Sequence, residues 1–350
     1  MTYAVDEISM PESLEAAGAE QFLEYAAVRN AVETHTLGTG LLSMAPPEIL
    51  AEYRDNPHRV RRHFVVRDDG RIVGRGMVTL RPHVPDNGAY LMVDVLPSHR
   101  GRGIGAAILR TVEQAAVESA AHVLKVAVPH SAAPGGERLA SPTGFGDVSA
   151  ADAGVRFLTS HGYALEQITR ISTLDTAAAA VPRVSAGPGA DHRVITWVGP
   201  TPAGWVGHLA VLRTRMSTDA PSAGLVAVAD PWDAARIREH DERIAGSGRT
   251  MLTAAVEHVP SGALVGFSEL ICSDAGTVAI QEDTLVLRER RGRRLGTALK
   301  LATTDLLLRH APEVEAVVTW NAEENRPMLD VNEAMGFRAI GYEGGWQKRV

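Results

Sequence analysis

The chain has 350 residues, enough for two domains of ordinary size, and it carries a net charge of −7 at pH 7. This acidic balance argues against a nucleic-acid-binding protein, because such proteins usually carry an excess of basic residues. A single cysteine, Cys272, excludes an internal disulfide and is typical of proteins from a reducing compartment.

The beginning of the chain predicts a cytoplasmic protein whose partners do not include a membrane. Residues 1–7 contain neither the basic region nor the apolar stretch of a secretory signal, and no apolar run reaches membrane-spanning length.

A helical front is predicted over 13–33. Two apolar runs, 64–66 and 71–78, flank the turn residues Asp68-Asp69-Gly70 and predict a β-hairpin.

A turn rich in glycine and arginine, V-L-P-S-H-R-G-R-G-I-G, follows the next predicted strand and precedes an apolar run with helical period. Glycines before a helix expose backbone N–H groups that the first turn cannot use, and the positive end of the helix dipole favours an anion. Arginine side chains add forked donors for phosphate oxygens. The turn therefore predicts a pyrophosphate site formed by Arg100, Gly101, Arg102, Gly103, Ile104 and Gly105.

Two other phosphate-binding motifs fit this turn less well. A dinucleotide fingerprint needs G-x-G-x-x-G and a later acidic residue, but neither Asp nor Glu occurs in the next predicted strand, 124–128. A P-loop needs Gly-Lys-Ser/Thr, which the turn lacks. An ordinary solvated turn without a ligand is the remaining alternative.

The pattern V-x-P-x-x-R-G-x-G-I-G resembles the coenzyme A loop of the GNAT superfamily of N-acetyltransferases. Arg100, Gly103 and Gly105 meet the core of that motif, Arg/Gln-x-x-Gly-x-Gly/Ala. The resemblance implies that backbone N–H groups of the loop hold the pyrophosphate of acetyl-CoA, the expected cofactor. It also implies that the strand backbone near Val95 binds the oxygen of the thioester.

The second half of the chain repeats the first. The run V-L-R-E-R-R-G-R-R-L-G at 286–296 is again followed by an apolar run with helical period, and a second hairpin is predicted from 252–256 and 264–270. Each half closes with a helix ended by glycine and an aromatic strand residue, at 155–163 and 329–337. The first half has extra residues within 129–150, which predict either an ordered flap or a surface loop.

This repeat predicts a mixed α/β fold with two domains, 1–180 and 181–350, joined by a stretch of linker composition. The resemblance implies tandem GNAT-like domains, each a mostly antiparallel twisted sheet flanked by helices, as in mycothiol synthase. It also implies a second set of cofactor contacts: Val286, Arg291, Gly292, Arg293, Arg294, Leu295 and Gly296. Arg294 stands where the first half has Gly103, where it would either block the pyrophosphate or bind a phosphate.

Further family positions separate the two halves. Asn325 matches an asparagine that contacts coenzyme A in the family, whereas the first half has Ala151 there. The tyrosine that serves the family as general acid is replaced by Leu158 and Asn332. Another hydroxyl or a water would have to protonate the leaving thiolate.

Two adjacent acids, Glu282 and Asp283, are the candidate catalytic bases. Neighbouring residues of a strand point to opposite faces, so one of them can face a pocket. The resemblance implies Glu282, and Asp283 is the alternative if a β-bulge shifts the register. The alternative is that both are ordinary acids at a strand edge or on the surface, without a catalytic role. Asp94 is the weaker candidate in the first half, and Asp219 either pairs with a cationic amine substrate or caps its own turn.

These patterns predict an acetyl-CoA-dependent N-acetyltransferase that moves an acetyl group to a primary amine of a small molecule. We expect direct attack in a ternary complex, with the chemistry in the C-terminal half. The alternative is a non-catalytic or regulatory module that binds acyl-CoA. No metal is predicted, because the histidines lack ligand spacing, and the chain is expected to be a monomer or homodimer.

Overall fold

The computed structural model describes residues 3–84, 88–132, 135–177, 189–274 and 276–350. Its contacts divide the chain into two compact units. The first unit comprises Met1–Thr169, Ser222–Val226 and Gly341–Val350, and the second comprises Arg170–Pro221 and Ala227–Ile340. The domain boundary predicted at residue 180 lies outside the described residues, so the ranges 1–180 and 181–350 stay a prediction.

The first unit follows the predicted order of helices and strands. Its helices are α1 (Ala19–Leu37), α2 (Pro46–Tyr53), α3 (Ile104–Glu118) and α4 (Ala153–Ser160). Its strands are β1 (Asp6–Ile8), β2 (Val60–Asp68), β3 (Arg71–Leu80), β4 (Ala89–Val95), β5 (Val123–Ser131), β6 (Arg138–Ala140), β7 (Asp147–Ser149) and the beginning of β8 (Ala164–Asp175).

The main sheet of the first unit has the order β1-β2-β3-β4-β5, followed by the C-terminal strand β14 (Arg338–Arg349) and then β8. Neighbours from β1 to β4 are antiparallel, whereas β4 and β5 are parallel. From Gly341 onwards, β14 pairs antiparallel with β5. The closing strand of the second half thus enters the first unit, where its Trp346 is buried in the apolar core. The repeat in the sequence does not predict this exchange.

Helices cover both faces of this sheet. Phe22 and Tyr25 of α1 pack with Val65 on one face, while Ile108 of α3 packs with Phe64 on the other. This division follows from the alternation of side chains along β2. The helix α3 lies very close to β3, because a Cβ at Gly76 would be 2.5 Å from a methyl group of Ile108. Only glycine leaves that space.

The second unit repeats this arrangement. Its helices are α5 (Val206–Asp219), α6 (Ala234–Ala245), α7 (Leu295–His310) and α8 (Arg326–Met335). Its strands are the end of β8, β9 (His192–Val198), β10 (Arg249–His258), β11 (Ala263–Ser273), β12 (Val278–Val286), β13 (Ala316–Ala322) and the beginning of β14. The sheet order is β8-β13-β12-β11-β10-β9, with β12 and β13 parallel.

Both predicted hairpins form, as the antiparallel pairs β2–β3 and β10–β11. In the second unit α5 and α6 pack on one face of the sheet and α7 on the other. The predicted mixed α/β fold with mostly antiparallel sheets flanked by helices is therefore confirmed. The described part of the 129–150 stretch contains an ordered element, the small antiparallel hairpin of β6 and β7.

Candidate functional site

Each unit has a gap where two parallel strands separate. In the first unit β4 and β5 pair at three positions, ending with Leu91 opposite Val126. In the second unit β12 and β13 also pair at three positions, ending with Ile280 opposite Val318. Beyond these pairs, the edge of β4 or β12 that faces its parallel neighbour has no ladder partner in the described registers. Each gap therefore leaves backbone donors and acceptors available to a ligand.

The two loops predicted to bind pyrophosphate follow these open strand ends with matching geometry. Arg100 Nε donates to the carbonyl of Val95 at 3.1 Å, and Arg291 Nε donates to the carbonyl of Val286 at 3.0 Å. These two equivalent arginines thus fix each loop to its strand, and both side chains are exposed. This positioning role was not predicted from the sequence.

Both helices that follow the loops begin without a side-chain cap. Gly103 precedes α3 in the left-handed conformation, with φ 87°, and no side chain bonds the first N–H groups of α3 or α7. The remaining predicted loop residues lie at or beside these helix starts: Gly101, Arg102, Ile104 and Gly105 in the first unit, and Gly292, Arg293, Leu295 and Gly296 in the second. Uncapped donors with arginines nearby suit a pyrophosphate.

Arg294 adopts the same left-handed conformation as Gly103, with φ 58°. A residue with a Cβ is less stable there than glycine by about 1 kcal/mol. The side chain of Arg294 is exposed. The second loop therefore keeps the shape of the first loop, and it adds a cation beside the uncapped start of α7.

The family positions on the closing helices carry no hydroxyl. Leu158 is buried in the apolar core, and Asn332 is 1% exposed, with its Nδ2 donating to Asn321 Oδ1 at 2.5 Å. Asn325 occupies the N-cap of α8, and its side chain does not bond the helix. Its predicted contact with coenzyme A stays a prediction.

A β-bulge brings the two candidate bases beside a third acid. The register of β11 against β12 shifts between Ser268 and Leu270, so that Glu282 and Asp283 lie opposite Glu269 alone. The structure thus contains the bulge on which the alternative assignment to Asp283 depended.

A buried arginine from α5 links these acids. Arg213 Nη2 donates to Glu269 Oε2 at 2.7 Å, and Arg213 Nη1 lies 3.5 Å from Asp283 Oδ2. Burial raises the pKa of Glu269 to about 7, although Arg213 opposes that shift, and the charges of Asp283 and Glu282 raise it further. Glu282 is exposed. The cluster therefore places three carboxylates around one guanidinium.

Glu269 was not identified from the sequence, although a signal for it exists. It is the one acid of Ala263–Ser273, an otherwise apolar or small-residue strand, and it is 2% exposed. An isolated acid in a buried strand is costly unless it is paired, which makes it a candidate for function.

Asp219 lies against the loop of the second unit. Its carboxylate is 3.2 Å from Arg288 Nε and 3.9 Å from Arg291 Nη2. These contacts join the end of α5 to the loop. The predicted contact with a substrate amine would therefore compete with two arginines.

The candidate base of the first unit, Asp94, is held by an arginine. Asp94 Oδ2 accepts a hydrogen bond from Arg75 Nε at 2.8 Å, and Arg75 Nη1 donates to Tyr53 Oη at 3.2 Å. Arg75 is 1% exposed. Asp94, itself half-buried, is thus paired with a buried guanidinium.

Neither a metal cluster nor a spanning helix is found among the residues that the structure describes. Across the described ranges, no three His, Cys, Asp or Glu side chains form a group able to hold a metal ion. Among the described helices, none combines the length and the apolar character needed to cross a bilayer.

Comparison with known proteins agrees with this geometry. The acetyltransferase (GNAT) family matches residues 30–135. A tandem GNAT protein from the clavulanic acid biosynthesis pathway, solved without acetyl-CoA, superposes with a TM-score of 0.77 at 25% identity, over 99% of this chain and 98% of that chain. A sequence search among curated proteins gives no significant match.

Two further structures share the fold at lower identity. A GCN5-related N-acetyltransferase from Sphaerobacter thermophilus gives a TM-score of 0.64 at 14% identity, over 99% of this chain and 96% of that chain. The glucosamine N-acetyltransferase region of a fungal multi-domain GH3 β-N-acetylglucosaminidase gives 0.65 at 16% identity, over 99% of this chain and 38% of that chain. With two open strand gaps, two matching loops, an acetyltransferase (GNAT) match over residues 30–135 and a tandem GNAT structure that is similar along its whole length, the chain has a tandem GNAT fold and is an acyltransferase.

Proposed function

We propose that the protein transfers an acetyl group from acetyl-CoA to a primary amine of a small molecule, and that the second unit performs the chemistry. The observation that carries this proposal is the cluster of Glu269, Glu282 and Asp283 around Arg213, beside the open gap of β12. The first unit lacks this arrangement among its described residues, because its Asp94 is paired with Arg75.

The residues around the start of α7 fit the pyrophosphate of the cofactor. The uncapped N–H groups of α7, with Arg291, Arg293 and Arg294, would hold the phosphates, and Asn325 would contact the rest of the cofactor. Bound acetyl-CoA would supply the acetyl thioester that the amine attacks. Asp219 would keep the loop in place through Arg288 and Arg291 rather than bind the amine.

The carboxylates would remove the proton of the amine. An amine is nucleophilic only when neutral, so a base must accept its proton close to neutral pH. Asp283 faces Arg213 across the bulge, and Glu282 lies beside it at the exposed surface. Glu269, whose pKa is raised to about 7 by burial, can exchange a proton in the same pH range. Three acids around a single arginine favour a cationic acceptor.

Backbone groups of the gap would stabilise the oxygen of the thioester. The edge of β12 beyond Ile280 faces away from its ladder with β11 and has no described partner on β13. N–H groups held in a rigid strand stabilise a developing negative charge without reorganisation. Val286, at the end of this edge, is fixed by Arg291.

Release of free thiol from acetyl-CoA, measured over a panel of small amines, tests the proposal. We expect Asp283→Asn or Glu282→Gln to lower turnover by about two orders of magnitude at neutral pH, because loss of a general base has that effect. Asp305→Asn, which removes an exposed acid of α7, is the matched control. Unchanged turnover in Glu282→Gln, Asp283→Asn and Glu269→Gln alike would contradict a carboxylate base.

Matched loop variants test the assignment to the second unit. Arg291→Ala and Arg100→Ala remove equivalent side chains from the two loops. We expect turnover to fall further in Arg291→Ala. A larger loss in Arg100→Ala would move the chemistry to the first unit.

A regulatory acyl-CoA-binding module is the second candidate function. The buried Leu158 and Asn332 at the tyrosine positions favour it, because neither can protonate a thiolate. Acetyl-CoA binding by calorimetry without thiol release for any amine in the panel would support this function.

A further inference from the structure

The first unit contains a cavity that shares no lining residue with the loop at 95–105. It has a volume of about 680 Å³ and lies between the segment after β1, the end of α2 and the start of β2. This volume falls within the range of small-molecule sites. Tyr53, Arg61 and His63 are the most buried polar residues of its lining.

Arg61 carries a buried guanidinium without an anionic partner among the described residues. Only 9% of Arg61 is exposed, and its Nε has no hydrogen-bond partner. Its Nη1 donates to the carbonyl of Arg54 at 3.2 Å. This bond uses one donor of the guanidinium but supplies no negative charge. Burial lowers the pKa of Arg61, against the opposing effect of Glu52 and the smaller effect of Asp55. A buried cation of this kind favours an external anion.

His63, which also lines the cavity, carries a second buried donor without a partner. It is 3% exposed, and burial lowers its pKa to about 3, so the imidazole is neutral at pH 7. Its Nδ1 lies 3.1 Å from Tyr25 Oη. A hydroxyl proton donated by Tyr25 to Nδ1 leaves the ring proton of neutral His63 on Nε2. Nε2 of His63 then carries the ring proton, and it has no partner.

The charges at the rim select the kind of anion. Glu7, Glu12 and Asp55 also line the cavity, together with Arg54 and Arg62; Glu7 is paired with Arg62, and Arg54 donates to the backbone carbonyl of Glu12. These acids repel a phosphate dianion more strongly than a singly charged carboxylate. A planar carboxylate also matches a guanidinium edge.

We propose that this cavity is a binding site for a small molecule with a carboxylate group, which accepts hydrogen bonds from Arg61 Nε and His63 Nε2. The site shares no lining residue with either loop, and the proposal does not depend on which unit transfers the acetyl group. Tyr53 lines the cavity and also bonds Arg75, the partner of Asp94 on β4. The hydrogen bonds between Tyr53 and Arg75 and between Arg75 and Asp94 would therefore connect the cavity to β4, the strand that ends at Val95.

Titration of the full-length protein with butyrate tests the site, with butyramide as the neutral control and inorganic phosphate as the competing anion. The readout is the imidazole resonance of His63 in histidine-labelled protein, assigned by its loss in His63→Gln. We expect a saturable shift with butyrate and binding at least tenfold weaker with butyramide or phosphate. No saturable shift, or equal affinity for butyramide, would overturn the proposal. Tighter binding of phosphate would overturn the carboxylate class.

Variants on one strand identify the donor. Arg61→Met should weaken butyrate binding at least tenfold, whereas Arg67→Met, the same change elsewhere on β2, should leave it unchanged. Arg61→Lys keeps a charge but removes Nε, so it provides a second variant if Arg61→Met does not fold. Butyrate affinity retained in either Arg61 variant would contradict the proposed contact.

Discussion

At the scale of single residues, some charged side chains are buried at positions where the helical pattern of the sequence places apolar residues. Lys300 of α7 is the clearest case, because the equivalent residue of the first unit is the core residue Leu109. Lys300 is 1% exposed, and its Nζ reaches Gln281 Oε1 at 3.5 Å. Burial lowers the pKa of Lys300 to about 7.

Replacement of this lysine should stabilise the protein. An unfolded lysine holds its proton up to about pH 10, whereas the folded one releases it near pH 7. Between these values the unfolded state binds more protons, so the stability of the native protein rises with pH. We expect Lys300→Leu to raise the free energy of unfolding by about 2 kcal/mol at pH 6–7. The gain should shrink towards pH 10.

Urea denaturation at pH 6.5 and 9.5 measures this difference. Lys125→Leu is unsuitable as a control because Lys125 bonds the carbonyl of Val226. The exposed Arg309→Leu on the same helix is the better comparison. A gain for Lys300→Leu that is equal at both pH values would contradict the assignment to its charge.

Residue-level prediction from the sequence succeeded where a motif fixes the local backbone. The two loops, their glycine turns and the start of each helix follow from short patterns at 95–105 and 286–296. Glu269 was not identified from the sequence, because its place in the cluster depends on a β-bulge in the neighbouring strand and on Arg213, which is 56 residues away in the chain. The roles of Glu282, Asp283 and Asp219 stay predictions.

At the scale of elements, the contact of α3 with β3 depends on a glycine. A Cβ at Gly76 would lie 2.5 Å from Ile108 Cγ2 and 2.9 Å from Val112 Cγ1, both buried. Neither neighbour has free space to move into. Gly76→Ala should therefore lower the free energy of unfolding by about 1–3 kcal/mol, as overpacked cores do.

Gly204→Ala is the matched control, because nothing lies within 4 Å of the Cβ it would add. Thermal denaturation of both variants compares them directly. Equal melting temperatures would mean that α3 can move away from the sheet without cost.

Hairpins and helices were predictable as elements because their signals are local. The pairing of β14 with β5 was not predictable. The sequence pattern of α8 and β14, a helix followed by a strand, is the same whether β14 pairs within its own half or with β5. What decides the pairing is tertiary: nine residues of β14 match nine of β5, and Trp346 fills the core of the first unit.

At the scale of the whole molecule, this strand makes the first unit depend on residues far along the chain. Deletion of Gly341–Val350 removes the partner of β5 and the buried Trp346. We expect amide hydrogen exchange to accelerate in β5, while the β10–β11 pair of the second unit keeps its protection. Acceleration confined to β10 and β11 would refute the assignment of this strand to the first unit.

The paired strands β5 and β14 also set an order of events during synthesis. The ribosome completes β5 about 210 residues before it reaches the middle of β14, a delay of roughly 10–40 s at ordinary elongation rates. Throughout that interval the nascent chain carries an unpaired, apolar strand edge, the kind of edge that pairs with other chains. The half that emerges first is thus the last to be completed, because its sheet needs the final strand of the chain.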